Sequence, residues 1–140
     1  MSNQPTFEHI QVGDELPLLL KRPTTRQLVQ YAGASGDFYE IHYDKDFAIA
    51  QGLPGVIIHG ALKSAWLAQL VTDWMGSRGK LRSIAVRYRD MDVPGDVLTC
   101  TGTVVEKDDI LGTVRCELAL TNGAGNVTTT GEAVVVLPIG

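Results

Sequence analysis

The segment from Gly60 to Met75 constrains the fold more than any other part of the sequence. Its apolar residues recur near helical spacing, and further apolar residues extend that surface almost all the way round: Ala61, Leu62, Ala65, Trp66, Ala68, Leu70, Val71 and Trp74. Gly76 is a suitable residue to end the helix. A helix with so little polar surface is typical of the protein interior, so something must wrap around it.

The sequence after this helix is dominated by β-forming residues. Four segments rich in Val, Thr and Leu, at 81–88, 96–105, 111–121 and 127–137, are separated by short stretches with turn-forming residues. Short connections favour antiparallel pairing of consecutive strands. We therefore predict an α+β fold over residues 1–140, one domain in which an antiparallel meander wraps around one long central helix.

The part that precedes the helix is more irregular. Residues 7–22 alternate loosely and predict a strand or extended segment that stops at Pro23. Thr24, with Gln27 three residues later, is typical of a capping box at the start of a helix. A second, short helix is predicted between Asp44, which can cap its start, and Gly52, which can end it.

Composition excludes several classes of partner. The formal net charge of −4 argues against a nucleic-acid-binding surface, which needs an excess of lysine and arginine. No apolar run approaches the roughly 20 residues that span a bilayer, and the polar N-terminus lacks a signal pattern. We expect a cytoplasmic protein without a membrane partner. Cys100 and Cys116 share the parity of their apolar neighbours and are interpreted as buried, reduced thiols.

A glycine-rich loop between the first two helices carries an acid and a histidine, Asp37 and His42. Such a pair can hold one water molecule, one group removing its proton while the other handles a proton at the adjacent carbon. Histidine suits this chemistry because its pKa lies near neutral pH. From these residues alone, a loop histidine that merely bonds a backbone carbonyl is the favoured interpretation, because an aspartate close to a histidine is not specific to catalysis.

Gly60 stands where an apolar run meets the start of the long helix. The first N–H groups of a helix have no internal partner, and glycine lets a ligand oxygen approach them closely. The Gly60 N–H is therefore a candidate donor to the oxygen of an enolate. The alternative is a glycine required only for tight packing between helix and sheet. His59, just before it, is interpreted as a residue that positions the turn.

The segment Gly36–Asp44, GDFYEIHYD, resembles the hydratase motif of MaoC-like proteins, Gly-Asp-x-Asn-Pro-aliphatic-His-x-Asp. The distance to His59-Gly60 and the later turn Val93–Asp96 are also similar to that family. The resemblance implies a hot-dog fold, usually a dimer, that hydrates a trans-2-enoyl-CoA to a (3R)-hydroxyacyl-CoA or catalyses the reverse reaction. It further implies Asp37 and His42 as the catalytic pair, and Gly60 as the oxyanion hole. No metal or redox cofactor is expected, since CoA is part of the substrate.

The sequence departs from the family motif at three positions. Tyr39 and Glu40 replace the usual Asn-Pro, and Ala68 stands where straight-chain hydratases often carry serine. The pattern is most similar to actinobacterial subunits linked to steroid side-chain degradation, which often work with a second hot-dog subunit. The resemblance thus implies an acyl-CoA substrate, a homodimer or a heteromer, and substrate-binding roles for Ser35, Tyr39, His59 and Ala68.

Four basic residues are candidates for binding the CoA phosphates: Lys63, Arg78, Lys80 and Arg82. A lysine or arginine at such a position is more often a solvated surface charge. Two alternative functions remain open from the sequence. One is an acyl-CoA thioesterase on the same fold, and the other is a non-catalytic hot-dog subunit that completes the pocket of a second protein.

Overall fold

Five strands and three α-helices are formed in the computed structural model, which describes residues 4–140. The strands are β1 (Leu19–Lys21), β2 (Lys80–Tyr88), β3 (Leu98–Asp108), β4 (Thr113–Thr121) and β5 (Val127–Val136). The helices are α1 (Thr25–Ser35), α2 (Lys45–Ala50) and α3 (Gly60–Met75), and a 3₁₀ turn spans Glu40–His42. Within residues 4–140, no helix is long and apolar enough to cross a membrane.

The strands form one antiparallel sheet in the order β1-β3-β4-β5-β2. Only β3, β4 and β5 form the predicted meander, because β2 pairs with β5 at the far edge instead of with β3. The connection after β2 is anchored there, since the N–H groups of Arg89 and Asp90 both donate to the Thr128 carbonyl. The predicted strand at 7–22 is reduced to Leu19–Lys21 and one isolated bridge from Glu15 to Thr103.

Helix α3 packs against one face of this sheet and forms the core with it. The buried residues of the helix are joined by apolar residues from the strands: Leu62, Trp66, Leu67, Leu70 and Val71 with Leu98, Val104, Val114, Leu118, Leu120 and Val135. The opposite face of α3 is not buried, since Ala61 and Ala65 are exposed. The prediction of burial nearly all round is thus wrong for this face, because a single sheet covers only one side of a helix.

The helix ends largely follow the predicted signals. The Thr24 hydroxyl accepts the Gln27 N–H at the start of α1, and Asp44 accepts the Phe47 N–H at the start of α2. Helix α1 ends at Gly36, whose φ of +78° is left-handed. Helix α2 stops two residues before the predicted Gly52.

Both cysteines are free and fully buried, as predicted. Cys100 lies on β3 and Cys116 on β4, with their side chains in the core beneath α3. Burial raises the pKa of each thiol to about 11, so both are protonated at neutral pH. They therefore belong to the packing of the core.

Candidate active site

The loop that leaves α1 is folded back on itself around Asp37. The Ser35 hydroxyl accepts the Asp37 N–H at 3.2 Å, and Asp37 Oδ1 accepts the Tyr39 N–H at 3.3 Å. Ser35, predicted to bind substrate, thus holds the loop that carries Asp37. The Asp37 side chain is half exposed, and its second oxygen points toward His42.

His42 is held at the end of the 3₁₀ turn with its ring fixed at one nitrogen. Its Nδ1 lies 2.8 Å from the Ile57 carbonyl, which can only accept, so Nδ1 carries the proton. In the neutral imidazole Nε2 is then the acceptor, and it lies 3.9 Å from Asp37 Oδ2. This separation exceeds a good direct hydrogen bond and suits a small group bound between the two. The structure thus brings the predicted pair together.

His59 lies fully buried behind His42, and its ring stacks on the His42 ring with centroids 3.8 Å apart. Its Nε2 lies 3.4 Å from the Asp37 carbonyl, and the Tyr31 ring meets it edge-on. Burial, followed by the charge of His42, lowers the pKa of His59. His59 is therefore neutral at pH 7 and supports both members of the pair, as expected for a positioning residue.

Gly60 begins α3 directly after His59, whose side chain makes no capping bond to the helix. The space where a Gly60 Cβ would stand is taken by the Tyr88 ring, with Cζ only 3.0 Å from that point. The Tyr88 hydroxyl in turn lies 2.5 Å from Ser64 Oγ, one turn further along the helix. This contact supports the packing interpretation of Gly60, and it also fixes the start of α3 next to the two histidines.

Asp37, His42 and His59 also resemble a set of metal ligands, since one donor atom of each lies within 4.8 Å of the others. The lone pairs of an imidazole lie in the plane of its ring. The planes of His42 and His59 are stacked at 19° and therefore do not direct their lone pairs at one common point. The arrangement suits proton transfer better than metal binding.

The other predicted site residues lie around this centre. Tyr39 is half exposed and meets the His42 ring edge-on, with centroids 6.2 Å apart. Ala68 is half-buried on α3, about two turns beyond Gly60. Tyr39 thus lies beside the predicted pair, and Ala68 lies about 12 Å along α3 from Gly60.

The prediction for the basic residues is wrong for Lys63. Its side chain is buried, and its Nζ forms an ion pair with Asp92 Oδ2 at 3.0 Å, so it cannot meet a CoA phosphate. Arg78, Lys80 and Arg82 are exposed, and they follow the end of α3, which lies about 24 Å along the helix from Gly60.

Three residues beside the site were not predicted from the sequence: Ser64, Tyr88 and Asp92. Ser64 could have been found from helical spacing, since it follows Gly60 by four residues. Tyr88 and Asp92 are distant in sequence, and no local signal identifies them. A groove of about 660 Å³ lies on the other face of the sheet around Thr103 and Glu117, and neither Asp37 nor His42 lines it.

Comparison with known proteins gives one family. The sequence matches the model described as MaoC like domain over residues 9–124. The beta subunit of the 3-oxo-4,17-pregnadiene-20-carboxyl-CoA hydratase of Mycobacterium tuberculosis is 32% identical over 104 residues, or 74% of this chain and 81% of the relative.

Solved structures agree in fold. A chain of the ChsH1-ChsH2 complex from Mycobacterium tuberculosis superposes with a TM-score of 0.83 at 27% identity, covering 91% of this chain and 98% of that one. The R-hydratase PhaJ1 of Pseudomonas aeruginosa gives 0.87 at 26% identity, covering 96% and 86%. These matches, with the curled five-stranded sheet packed on α3, confirm the predicted hot-dog fold.

Proposed function

The chain belongs to the MaoC-like domain family, and on this premise we propose that it adds water reversibly to a trans-2-enoyl-CoA, giving a 3-hydroxyacyl-CoA. The observation that carries the proposal is the pairing of His42 Nε2 with Asp37 Oδ2 at 3.9 Å. Because His42 Nδ1 donates to the Ile57 carbonyl, the nitrogen that faces Asp37 is free to accept a proton.

In the proposed hydration, one water molecule binds between Asp37 and His42. One of these groups takes a proton from the water as the water oxygen bonds to the β-carbon, and the pair then delivers that proton to the α-carbon, so both groups return to their starting state. The electron pair of the alkene moves through the conjugated system to the thioester oxygen and returns when the α-carbon is protonated. The Gly60 N–H at the start of α3 donates to that oxygen while it carries negative charge.

We further propose a bulky acyl group, such as a steroid side chain. Ala68 lacks the hydroxyl that straight-chain hydratases often carry at this point, which leaves more apolar space. Glu40 in place of proline frees a backbone N–H in the loop. The similarity to a subunit of a pregnadiene-carboxyl-CoA hydratase also supports a bulky acyl group.

A second hot-dog subunit, identical or different, is proposed to complete the site. Several large apolar residues around the loop and the two short helices are exposed on this chain: Val29, Phe38, Tyr39, Tyr43 and Ile49. Strand β2 lies at an edge of the sheet with one side unpaired among the described strands. A similar solved chain belongs to the ChsH1-ChsH2 complex, which supports a heteromer.

The test is a steady-state assay of the purified protein on a panel of enoyl-CoAs, from crotonyl to polycyclic. Hydration removes the absorbance of the conjugated thioester, whereas thioester hydrolysis releases a free thiol, so the two reactions are followed separately. Loss of conjugation without thiol release is the expected result. Thiol release alone would identify a thioesterase. Inactivity, with the native partner subunit present, would point to a non-catalytic subunit instead.

A further inference from the structure

Lys63 and Asp92 form a buried ion pair beside the site, and the mechanism above does not use it. Their side chains are 3% and 1% exposed, and Lys63 Nζ lies 3.0 Å from Asp92 Oδ2. Lys63 Nζ also donates to the Asp90 carbonyl at 3.0 Å, and the Thr128 hydroxyl donates to Asp92 Oδ2 at 2.6 Å. The pair therefore joins the first turn of α3, the loop after β2 and the start of β5.

Asp92 is hydrogen-bonded to residues on both sides of Gly60 in the sequence. Its backbone carbonyl accepts the N–H of Ile58 at 2.9 Å, two residues before Gly60. Its carboxylate holds the side chain of Lys63, three residues after Gly60. The turn that carries the Gly60 N–H is thus fixed at two points to one residue, and that residue is itself tied to the sheet through Thr128.

Stability alone does not account for such a pair. Removing two charges from water carries a large desolvation penalty, and buried pairs can often be replaced by apolar residues with little loss of stability. What the charges provide here is a fixed direction, because Lys63 has to reach two acceptors from one position on the helix. A hydrogen-bond donor to a transition state works only if it is held in place before the reaction.

We propose that Lys63 and Asp92 are positioning residues. They hold the Gly60 N–H at a fixed position and direction relative to Asp37 and His42. The proposal rests on the hydratase function above and goes further in naming what orients its oxyanion donor. The Tyr88 ring supports the same turn, since it packs against Gly60 and lies 5.7 Å from Lys63 Nζ.

The decisive variant is the double replacement Lys63→Met/Asp92→Leu, which removes both charges and leaves neither of them buried without a partner. Lys107→Met is the matched control. Lys107 Nζ likewise donates to two backbone carbonyls, those of Phe7 and Ile10, but these groups do not contact the site residues. All proteins are measured as full chains, together with the native partner subunit where activity requires it.

Two readouts separate positioning from a purely structural role. The first is the split between kcat and KM for enoyl-CoA hydration. Misplacing a catalytic group by about 1 Å can cost about 100-fold, so we expect kcat to fall about 10- to 100-fold with KM changed less than about threefold. The second readout is the Gly60 amide resonance in ¹H–¹⁵N spectra, which needs no substrate. It should be single and sharp in the wild type and in Lys107→Met, but broadened or split in the double variant.

A folded double variant with wild-type kcat, or with a lower kcat and an unchanged Gly60 resonance, would overturn the proposal. If the double variant does not fold, Asp92→Asn keeps the size and the acceptor for Thr128 while removing the charge, and the same two readouts apply. If the wild type hydrates no enoyl-CoA, the proposed function fails. The Gly60 resonance alone then decides whether Lys63 and Asp92 hold the turn.

Discussion

The imidazole rings of His42 and His59 stack with their centroids 3.8 Å apart and their planes inclined by 19°. The two residues come from different elements, a 3₁₀ turn and the residue before α3. If both rings were protonated at this distance, their positive charges would repel each other. A neutral His59 is therefore built into the site, and the proposed function assigns the exchange of protons to His42.

The buried, neutral His59 should make the protein less stable in acid. Its pKa is lowered from 6.5 in the folded state, so below pH 6.5 the unfolded chain binds a proton that the folded chain does not. Its contribution is fully present above pH 6.5 and declines as the pH falls. Between pH 7.5 and 5.5, the free energy of unfolding in urea should decrease less for His59→Asn than for the wild type. The difference between the two proteins is at most about 1.4 kcal/mol per pH unit. An equal decrease in wild type and variant would contradict this, and His9→Asn is the control at an exposed histidine.

Loss of either member of the proposed catalytic pair should abolish most activity. Asp37→Asn and His42→Ala are each expected to lower turnover of an enoyl-CoA by about two or more orders of magnitude, the scale of positioned acid–base groups. Circular dichroism and thermal unfolding control for folding. Folded variants that keep near-wild-type rates would show that the chemistry lies elsewhere.

Replacing Gly60 by alanine should lower activity because of its neighbour Tyr88. The new methyl would lie 3.0 Å from the Tyr88 ring, so ring or helix must shift, at a cost of about 1–3 kcal/mol in stability. We expect kcat to fall about 10- to 100-fold. The double variant Gly60→Ala/Tyr88→Leu gives the methyl room and should recover both stability and rate relative to Gly60→Ala. If stability recovers but the rate does not, the methyl itself obstructs the substrate; Tyr88→Leu alone is the control.

Neither cysteine should react with a thiol reagent in the native protein. Cys100 and Cys116 are fully buried, and their pKa values of about 11 leave almost no thiolate at pH 8. Titration with a disulfide reagent should therefore detect both thiols only after unfolding in guanidinium. Rapid reaction of one thiol in the native state would show that β3 or β4 opens locally.

Restoring a serine at Ala68 should narrow the substrate range. The added hydroxyl is expected to lower kcat/KM for a branched or polycyclic enoyl-CoA about tenfold relative to crotonyl-CoA, within the range of small changes in apolar pockets. The measurement is kcat/KM for both substrates with each protein. If crotonyl-CoA is the best substrate of the wild type, with every plausible partner present, the bulky-substrate proposal is wrong.

Local patterns in the sequence were sufficient to predict the helices and the proximity of Asp37 to His42. Helix α3 begins at Gly60 and ends before Gly76 as predicted, because helical periodicity and glycine act over neighbouring residues. Asp37 and His42 were predicted together because they lie in one short loop, whose geometry is fixed by bonds within it and to Ile57.

Contacts between distant residues decided the rest. A lysine near the start of a helix has the same local signature whether it faces water or an aspartate, so only the fold reveals that Lys63 is buried against Asp92. In the same way, the residues of β2 do not indicate whether this strand pairs with β3 or with β5, and only the fold shows that it pairs with β5. Sequence patterns were enough to predict the three helices and the four strands that follow α3, and they selected Asp37 and His42 as candidates for chemistry. The tertiary structure decided which of them meet, because burial and strand pairing depend on residues far apart along the chain.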